Sequence, residues 1–352
     1  MFDFVNSPTV GQQQLGPSGA VYQWDGTKWV AVAAQVAVPS QGNVGRNLVH
    51  NALFAVAQRG AGPFTVSGWM LDRWLGAASG STMSVTQTAL TDADRAAIGD
   101  EAARRCLQCV AGGTAGAGDY VIPATQTIED VSRLAGKTVT LSFWAKANTG
   151  TPKLGIDLYQ DFGSGGSPSA GVKLTAQAVT LSATWARYTT TWNMPSIAGK
   201  TLGTAINNAT GVQLWMSSGA TNNTDAGGIG VQSYTLQLWG IQLEIAAPGQ
   251  TQPTPLERIE YADDLRHCQR FYWNEGSLNA WGYQTAGQPY QCQVELPVRM
   301  RAMPTIALGT NSNSNLGAVS TATSFGYVVI WASAVVTGGV SFSLPFSVSA
   351  DL

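Results

Sequence analysis

Hydrophobic and polar residues alternate along many short segments of the chain. Clear examples are residues 138–146, 153–159 and 234–239. A period of two gives a strand one buried face and one face open to solvent or ligand, and antiparallel sandwiches are built from such strands. Gly, Ser, Thr and Asn separate the segments, as turns require. The pattern predicts an all-β protein.

Two segments depart from this alternation. Asp92 to Arg105 carries acids early and arginines late, the charge order that a helix dipole favours. Glu257 to Arg270 is the densest charged run of the chain and has apolar residues at helical spacing, after prolines at 253 and 255. Since proline ends a strand, the second segment is interpreted as a short connecting helix.

The element pattern divides the chain into four parts. They are an N-terminal region at 1–45, a β-sandwich at 46–250, a linker helix at 251–272 and a smaller distal β-domain at 273–352. The first part is rich in Gln, Gly, Pro and Val. It is too poor in large side chains to build a core alone, so we expect it to be held by partners or by the rest of the chain.

A hairpin is predicted within the N-terminal region. Asp25-Gly26 supplies a tight turn, and Tyr22, Trp24 and Trp29 flank it. Two tryptophans on so small a unit stay partly exposed. The hairpin is therefore either a surface element that packs its own rings or a docking element for a larger particle.

Charge and hydropathy exclude several classes of protein. Of the 352 residues 11% are charged, and the formal net charge is −2. That balance leaves no basic stripe for a phosphate backbone, so nucleic acid is not an expected partner. The N-terminus has no secretory-signal pattern, and no apolar run reaches the roughly 18 residues that cross a bilayer. We expect a product made in a cytoplasm, without membrane insertion.

Four cysteines occur, at positions 106, 109, 268 and 292. Cys106 and Cys109 lie in a segment that reads as a strand, and no second Cys/His pair has metal-ligand spacing, so buried thiols are favoured over a metal or redox role. A disulfide between Cys268 and Cys292 stays open from sequence, although a reducing cytoplasm disfavours it.

An ordered series of short motifs resembles bacteriophage tail-fibre and related appendage proteins. Each motif is weak alone, but the order is specific and extends from about residue 47 to 305. The series is Asn47-Leu48 to Asn51, Gln58-Arg59-Gly60, Leu71-Asp72-Arg73-Trp74, the loop Phe162 to Ser169, Ala198 to Gly203, Leu238 to Glu244, Cys268 to Tyr272 and Pro297 to Thr305.

The resemblance implies a jelly-roll or galactose-binding-like sandwich, similar to a carbohydrate-binding module. A distal β-domain would follow it, and the chain would be carried on a phage particle as a homotrimer. Two positions depart from the family pattern. Ala52 stands where relatives usually have glycine, and Phe271 stands where tyrosine is common.

A sugar site is predicted on the strand at 153–161. Leu154, Ile156 and Leu158 share one face, so Asp157, Tyr159 and Asp161 share the other. An aromatic ring between two acids on an open face could stack on a sugar and bond its hydroxyls. A solvated strand face is the alternative.

A second pair of candidates for the glycan site is Trp185 and Arg187. If both side chains point outward, the indole could stack on a sugar ring and the guanidinium could bond hydroxyls. The resemblance implies instead that Trp185 is structural and caps the sandwich edge. Both interpretations stay open from sequence.

The resemblance also implies a structural calcium ion where the first and last strands of the sandwich meet. Asn51 and Glu244 are the candidate oxygen donors, because calcium is bound by carboxylate and carbonyl oxygens. The alternative for Glu244 is a simple ion pair with an arginine. We expect no other cofactor.

An enzyme is not expected. Glycosidases place two carboxylates roughly 5 to 10 Å apart across a groove, whereas Asp157 and Asp161 lie about 13 Å apart along a strand. A serine or cysteine nucleophile needs a histidine base, and neither His50 nor His267 lies in a recognisable nucleophile motif.

The sequence therefore predicts a virion appendage, a tail or head fibre, made in the host cytoplasm. Its N-terminus would bind a phage tail or capsid protein through the hairpin aromatics, and its sandwich together with the distal domain would contact host surface polysaccharide. The alternatives are a capsule depolymerase and an architectural decoration protein without a receptor.

Overall fold

The computed structural model describes residues 4–15, 21–32, 45–247, 250 and 252–352. The chain divides into two compact units, Met1–Arg46 and Asn47–Leu352. The first boundary lies next to the one that the sequence predicted. The sandwich and the C-terminal strands belong to one compact unit, within which each has a hydrophobic core of its own.

The first unit contains a three-stranded antiparallel sheet of β1 (Gln13–Leu15), β2 (Val21–Trp24) and β3 (Trp29–Val32). The Asp25 carboxylate closes the predicted hairpin by accepting from the backbone N–H groups of Thr27 and Lys28 at 2.8 and 2.9 Å. Gly26 has φ of 105°, a conformation that favours glycine. The hairpin prediction is confirmed.

Two antiparallel sheets form the sandwich of the second unit. The larger sheet has the order β11-β10-β14-β8-β5-β4, with β12 beside β10 and β15 beside β8, and the smaller has the order β13-β9-β16-β7-β6. The strands are β4 (Gly68–Trp69), β5 (Leu75–Ser79), β6 (Thr82–Ala89), β7 (Arg105–Gly112), β8 (Tyr120–Glu129), β9 (Thr138–Ala147), β10 (Lys153–Asp161), β11 (Val172–Lys173), β12 (Gln177–Thr180), β13 (Ala186–Asn193), β14 (Ala209–Trp215), β15 (Ser217–Ser218) and β16 (Ser233–Ile245).

The sandwich core forms where the apolar faces of the two sheets meet. Leu154, Ile156 and Leu158 of β10 are fully buried there, together with Leu141 and Phe143 of β9. This is the face that period-two alternation assigned to the core. Because the apolar residues of β10 point inward, its intervening residues lie on the outer face of the larger sheet.

Two α-helices and a 3₁₀-helix (Val131–Arg133) complete the described elements. Helix α1 (Asp92–Ile98) begins with a capping box between Thr91 and Asp94 and ends at Gly99, whose φ is 77°. It is shorter than the predicted segment to Arg105, because the left-handed glycine stops the helix and β7 begins at Arg105. Among the described helices, none has the length and apolarity needed to cross a bilayer.

Helix α2 (Tyr261–Gln269) begins four residues later than predicted. The buried Glu257 accepts a hydrogen bond from the Asn47 backbone N–H and donates its own backbone N–H to Gln242 Oε1 at 2.7 Å. These contacts hold Glu257 outside the helix. The connecting helix itself is confirmed.

The C-terminal strands form two small sheets around a second core that includes Phe342, Leu344 and Ile330. One sheet has the order β17-β23-β19 with β20 beside β23, and the other has the order β18-β22-β21. The all-β prediction is thus confirmed for both regions. The strands are β17 (Tyr272–Gln284), β18 (Pro289–Glu295), β19 (Thr305–Leu308), β20 (Ser312–Ser314), β21 (Ser320–Thr323), β22 (Tyr327–Ser333) and β23 (Gly338–Ser349).

Candidate functional site

The outer face of the larger sheet carries Asp157, Tyr159 and Asp161 in one row along β10, as the alternation predicts. The register places Gly211 of β14 beside Tyr159 on one side and Lys173 of β11 on the other. Tyr159 is half-buried, whereas Asp161 and Lys173 are exposed. An aromatic ring therefore lies between an acid and a base on the surface of the sheet.

The Tyr159 ring lies against Gly211. A Cβ atom added to Gly211 would overlap Cζ and Cε1 of the ring, so the ring crosses the β14 backbone at the place where a side chain would otherwise stand. Glycine inside a strand marks such a close approach. A glycine within a strand pattern is such a signal at position 211, although nothing near it in the sequence identifies Tyr159 as its partner.

A pocket of about 290 Å³ lies beside this ring. Tyr159, Asp161 and Lys173 line it together with Gly171 and Val172. The pocket combines one aromatic ring with a carboxylate, an ammonium group and the backbone of an edge strand. Such a surface can stack on a sugar and bond its hydroxyls.

Asp157 lies on the predicted side of β10 but is covered. Its exposed fraction is 0% and neither carboxylate oxygen has a protein hydrogen-bond partner. A Cβ at the neighbouring Gly155 would overlap the Ala226 carbonyl, so a distant segment crosses the strand here, and Asp225 of that segment pairs with Lys173. The sequence predicted an open face, whereas the structure leaves only Tyr159 and Asp161 of that row in reach of a ligand.

Burial sets the electrostatics of this row. The pKa of the Asp157 carboxyl is raised to about 7, mainly by burial. The Lys173 ammonium lowers this pKa and the Asp225 carboxylate raises it, but both effects are smaller than that of burial. Burial also raises the pKa of the Tyr159 hydroxyl, to which Asp161 and Asp157 add. Asp157 is thus largely uncharged below neutral pH, because the charged form of a buried acid is disfavoured.

The loop at 162–169 and the motif at 198–203 pack together at the end of β10 and form one double loop. Gly203 N–H donates to the Phe162 carbonyl at 2.7 Å, and Ser169 N–H donates to the Thr201 carbonyl at 2.9 Å. A Cβ at Gly203 would lie 2.6 Å from the Ser164 nitrogen. Asp161 Oδ1 accepts from Gly163 N–H at 2.8 Å, which joins the double loop to the candidate site as its rim.

Arg187 lies on β13 of the smaller sheet and Trp185 directly precedes that strand, so neither joins this site. Trp185 is 7% exposed, and its indole N–H donates to Asp94 Oδ1 of α1 at 2.8 Å. The Arg187 guanidinium lies 4.5 Å from the Trp144 ring centroid and donates to the Thr254 carbonyl at 2.7 Å. Both side chains hold neighbouring segments against the smaller sheet, which fits the structural interpretation of Trp185.

Asn51 and Glu244 do not form a calcium donor set. Asn51 Oδ1 accepts from the Val56 N–H at 2.9 Å, and Glu244 accepts from the backbone N–H and the hydroxyl of Thr254 at 2.8 and 2.6 Å. In the described part of the chain, no group of three or more His, Cys, Asp or Glu side chains is placed to hold a metal ion. The residues present therefore do not fit the ion that the resemblance implied.

The cysteines are free thiols. Cys106 and Cys109 lie on opposite faces of β7, since Cys109 packs in the sandwich core and Cys106 packs under α1. Burial raises the pKa of both thiols to about 12, which suppresses the thiolate that metals and disulfide exchange require. Cys268 and Cys292 are not bonded to each other.

Most of the sequence motifs meet at a buried junction around Phe271. The guanidinium of Arg73 lies 3.5 Å from the Phe271 ring centroid, and those of Arg270 and Arg301 lie at 5.6 and 5.8 Å. Both of the latter also pair with Glu129, at 2.9 and 3.1 Å. Burial lowers the pKa of the Arg73 guanidinium to about 10. These motif residues join the sandwich to the C-terminal strands.

The two histidines belong to this junction. The rings of His50 and His267 stack with centroids 5.0 Å apart, and His50 also lies 6.0 Å from Phe271. Burial keeps the pKa of His50 well below its usual value, and Arg73 and His267 lower it further. A packed imidazole pair of this kind has a structural role and leaves the outer face of the larger sheet as the candidate site.

The hairpin aromatics of the first unit are half-buried. Phe4 stacks on Trp29 at 5.0 Å and contacts Tyr22 edge-on at 5.1 Å, and Trp24 lies 5.8 Å from Trp29. A mainly apolar pocket of about 430 Å³ opens beside Trp24, with Val10 and Val30 among its lining residues. Among the described residues of this unit, Tyr22, Trp24 and Trp29 thus form an aromatic surface that stays partly accessible.

No protein-family model matches the chain, and no curated protein matches it in sequence. Among solved structures, a family 11 carbohydrate-binding module from Clostridium thermocellum in complex with a β-1,3-1,4-mixed-linked tetrasaccharide is 12% identical, with 49% of this chain and 89% of that chain covered and a TM-score of 0.32. The CBM22-2 xylan-binding domain from Paenibacillus barcinonensis Xyn10C is 13% identical, covers 53% of this chain and 100% of its own, and has a TM-score of 0.31.

The enzymatically active domain of bacteriophage CBA120 tailspike protein 4 is also similar. It is 13% identical to this chain, and its TM-score is 0.32. The match covers 57% of this chain and 22% of the tailspike chain. At these identities and TM-scores no ligand, activity or assembly carries across to the present chain.

Proposed function

We propose that this chain is a non-enzymatic appendage of a phage or phage-like particle, a tail or head fibre, that contacts host surface polysaccharide. Its first unit would attach to a tail or capsid protein, and the outer face of the larger sheet would meet the glycan. The ordered tail-fibre-like motifs support the assignment to a phage particle, and the Tyr159 surface supports a sugar as the ligand.

The observation that carries the sugar proposal is the Tyr159 ring held against Gly211. A ring held against a strand presents its other face for stacking, and its position costs little rotamer entropy on binding. Asp161 and Lys173 lie on the same pocket and can accept from and donate to sugar hydroxyls. Asp157 lies on the same face but is covered by the segment around Ala226, and it is not assigned a ligand contact.

Displacing or removing this ring is expected to weaken glycan binding about tenfold, since a stacked aromatic contributes on the order of 1.4 kcal/mol. Tyr159→Ala removes the ring. Gly211→Ala keeps it but places a methyl group where the ring lies. Binding to an array of bacterial capsular and O-antigen polysaccharides measures both effects.

Two matched controls accompany these variants. Tyr261→Ala removes a tyrosine that is 56% exposed on α2, and Gly118→Ala adds a methyl group that meets no atom within 4 Å. Both should bind as the unmodified chain does. Unchanged binding by Tyr159→Ala would remove Tyr159 from the site.

A capsule depolymerase is the alternative, and the pKa of Asp157 near 7 is the observation that favours it, because general acids are tuned to this range. Against it, both Asp157 oxygens are inaccessible, and Asp225, the acid whose charge acts on it, is paired with Lys173. Release of reducing ends from a bound polysaccharide, lost in Asp157→Asn, would establish the enzyme instead.

Particle attachment is assigned to Tyr22, Trp24 and Trp29. The experiment adds the full chain to particles that lack the appendage. Trp24→Ser is expected to reduce incorporation at least tenfold, because it removes the ring beside the apolar pocket. Sedimentation of particles with bound chain measures incorporation. The glycan array should be unaffected, and equal incorporation of the variant would rule out the hairpin as the anchor.

A homotrimer completes the proposal. Several copies on one particle would turn a weak, shallow sugar site into firm attachment through avidity. An architectural decoration without a receptor would show the same mass and incorporation but no polysaccharide binding. Mass photometry of the purified chain gives the copy number, and a monomer at working concentration would contradict the trimer.

A further inference from the structure

We propose that the outer face of the β17-β23-β19 sheet is a second glycan site, and that it takes uncharged polysaccharide. This inference is independent of the Tyr159 site, because it concerns a different sheet with a different core. It rests on the most exposed large aromatic side chains of the described chain and on the chemistry of their neighbours.

Trp281 and Tyr283 are the aromatic residues that carry the proposal. They are 78% and 72% exposed, respectively. Alternation along β17 places both on one face, about 7 Å apart along the strand. An indole and a phenol this exposed on a small β-region are unusual, because the burial of such rings is strongly favoured. Two rings in line can stack on successive parts of one elongated ligand.

The neighbours of these rings are hydroxyl groups and backbone. The ladder places Ser341 opposite Trp281 and Gly339 opposite Tyr283, and Ser314 of β20 pairs with Ser341 on the far side. One row across the sheet is therefore an indole followed by two serines. Hydroxyl groups both donate and accept hydrogen bonds, which suits the hydroxyls of a sugar ring stacked on the indole.

The same face continues along β23 for about 20 Å. Asn279 lies opposite Ser343, and the two side chains are within 2.8 Å of each other. Beyond them a hollow of about 250 Å³ is lined by Asn274, Ser347 and Pro345 among others. The aromatic pair and the hollow thus lie on one continuous polar surface, long enough for several sugar units.

The absence of charge on this face decides the class of ligand. Its described positions on the four strands carry no Asp, Glu, Lys, Arg or His; they are Tyr272, Asn274, Asn279, Trp281, Tyr283, Thr305, Ala307, Ser312, Ser314, Gly339, Ser341, Ser343, Pro345, Ser347 and Ser349. At the end of the face away from Trp281, Arg59 stacks on the Tyr272 ring and pairs with Asp351, so these two charges offset each other. An acidic or amino polysaccharide would lose hydration of its charges here and gain no partner. The face therefore matches a neutral chain.

The same composition disfavours a second copy of the chain as the occupant. Interfaces between copies concentrate apolar side chains at their centre, whereas Trp281 and Tyr283 lie at one edge of the sheet among serines, asparagines and glycine. Shallow sugar sites have the opposite composition, with a few aromatic rings among many hydrogen-bonding groups.

Affinity gel electrophoresis of the full chain tests the proposal, with dextran, mixed-linkage β-glucan or galactomannan in the gel and polygalacturonate as the charged comparison. We expect retardation by at least one neutral polysaccharide and none by polygalacturonate through this face. Trp281→Ala and Tyr283→Ala should each weaken retardation about tenfold, and the conservative changes to phenylalanine should restore most of it. Val335→Ser, at a valine that is 64% exposed, is the control.

Several outcomes would overturn the proposal. They are no retardation by any neutral polysaccharide, undiminished retardation of the Trp281→Ala, Tyr283→Ala double variant, or a changed oligomeric mass of that variant, which would make the face an interface between copies. Failure of this second site can be distinguished from failure of the Tyr159 site. Tyr159→Ala should leave neutral-polysaccharide retardation intact, and that retardation should not change between pH 5 and 8.

Discussion

Replacing Phe271 with alanine is expected to lower the free energy of unfolding by about 4 kcal/mol. The ring is fully buried and contacts the Arg73 guanidinium at 3.5 Å. Its loss leaves a cavity and also leaves a buried cation without its aromatic partner, whose contribution is largest where water is excluded. Urea unfolding followed by tryptophan fluorescence measures the change.

The chain supplies a matched control for this variant. Phe325 also lies beside an arginine, with the Arg299 guanidinium 4.8 Å from its ring centroid, but it is only half-buried. Phe325→Ala should cost about 1 kcal/mol, since water can fill the space and solvate the cation. Equal losses in the two variants would show that the junction around Phe271 adds nothing beyond ordinary packing.

The junction explains why this single ring should matter so much. Arg73, Arg270 and Arg301 surround it, and Glu129 pairs with two of them. Removal of the ring leaves the buried Arg73 guanidinium desolvated and without its aromatic contact. The sandwich and the C-terminal strands are expected to unfold as one unit while this group is intact.

Replacing Asp157 with asparagine is expected to stabilise the protein by about 4 kcal/mol at pH 8 and to leave stability at pH 4 unchanged. The folded-state pKa near 7 lies above the ordinary aspartate pKa of 3.8. The folded protein therefore holds a proton that the unfolded chain has released between about pH 4 and pH 7. Stability falls as pH rises through this window, and an amide removes the dependence because it does not ionise.

Urea unfolding at pH 4, 6 and 8 measures this effect. Asp161→Asn is the control, because Asp161 belongs to the same strand and face but is exposed. Its pH profile should follow that of the unmodified chain. If Asp157→Asn kept the same fall in stability between pH 4 and 8, the buried carboxyl would not be its source.

Local patterns predicted the strands well because side-chain direction in a strand is a property of neighbouring residues. The alternation of β10 assigned Leu154, Ile156 and Leu158 to the core and Tyr159 to the outer face, and both assignments hold in the structure. The Asp25-Gly26 turn was predictable for the same reason, since its geometry depends on two residues and one carboxylate. The order of charges and the helical spacing of apolar residues located the two helices, although not their ends.

Contacts between distant segments decided the rest. Asp157 is covered by a segment about 70 residues further along the chain, and nothing near Asp157 in sequence encodes that cover. Arg187 lies on a different sheet from Tyr159, since sheet membership depends on strand pairing, and Trp185 directly precedes the Arg187 strand. The side-chain oxygens of Asn51 and Glu244 accept hydrogen bonds from nearby residues. The residue types alone do not show that these oxygens are already bonded.

The sequence by itself thus determined the class of the fold, the strand faces and the motifs that mark the chain. Only the tertiary structure decided what those motifs do, because their residues act through partners far away in the chain. Arg73, Phe271 and Arg301 are separated by roughly 30 to 230 positions in sequence yet meet at one ring. The motif residues around Phe271 connect the sandwich core to the C-terminal core. The surfaces proposed for sugars are the Tyr159 ring on Gly211 and the aromatic pair on β17, and none of these residues belongs to a motif.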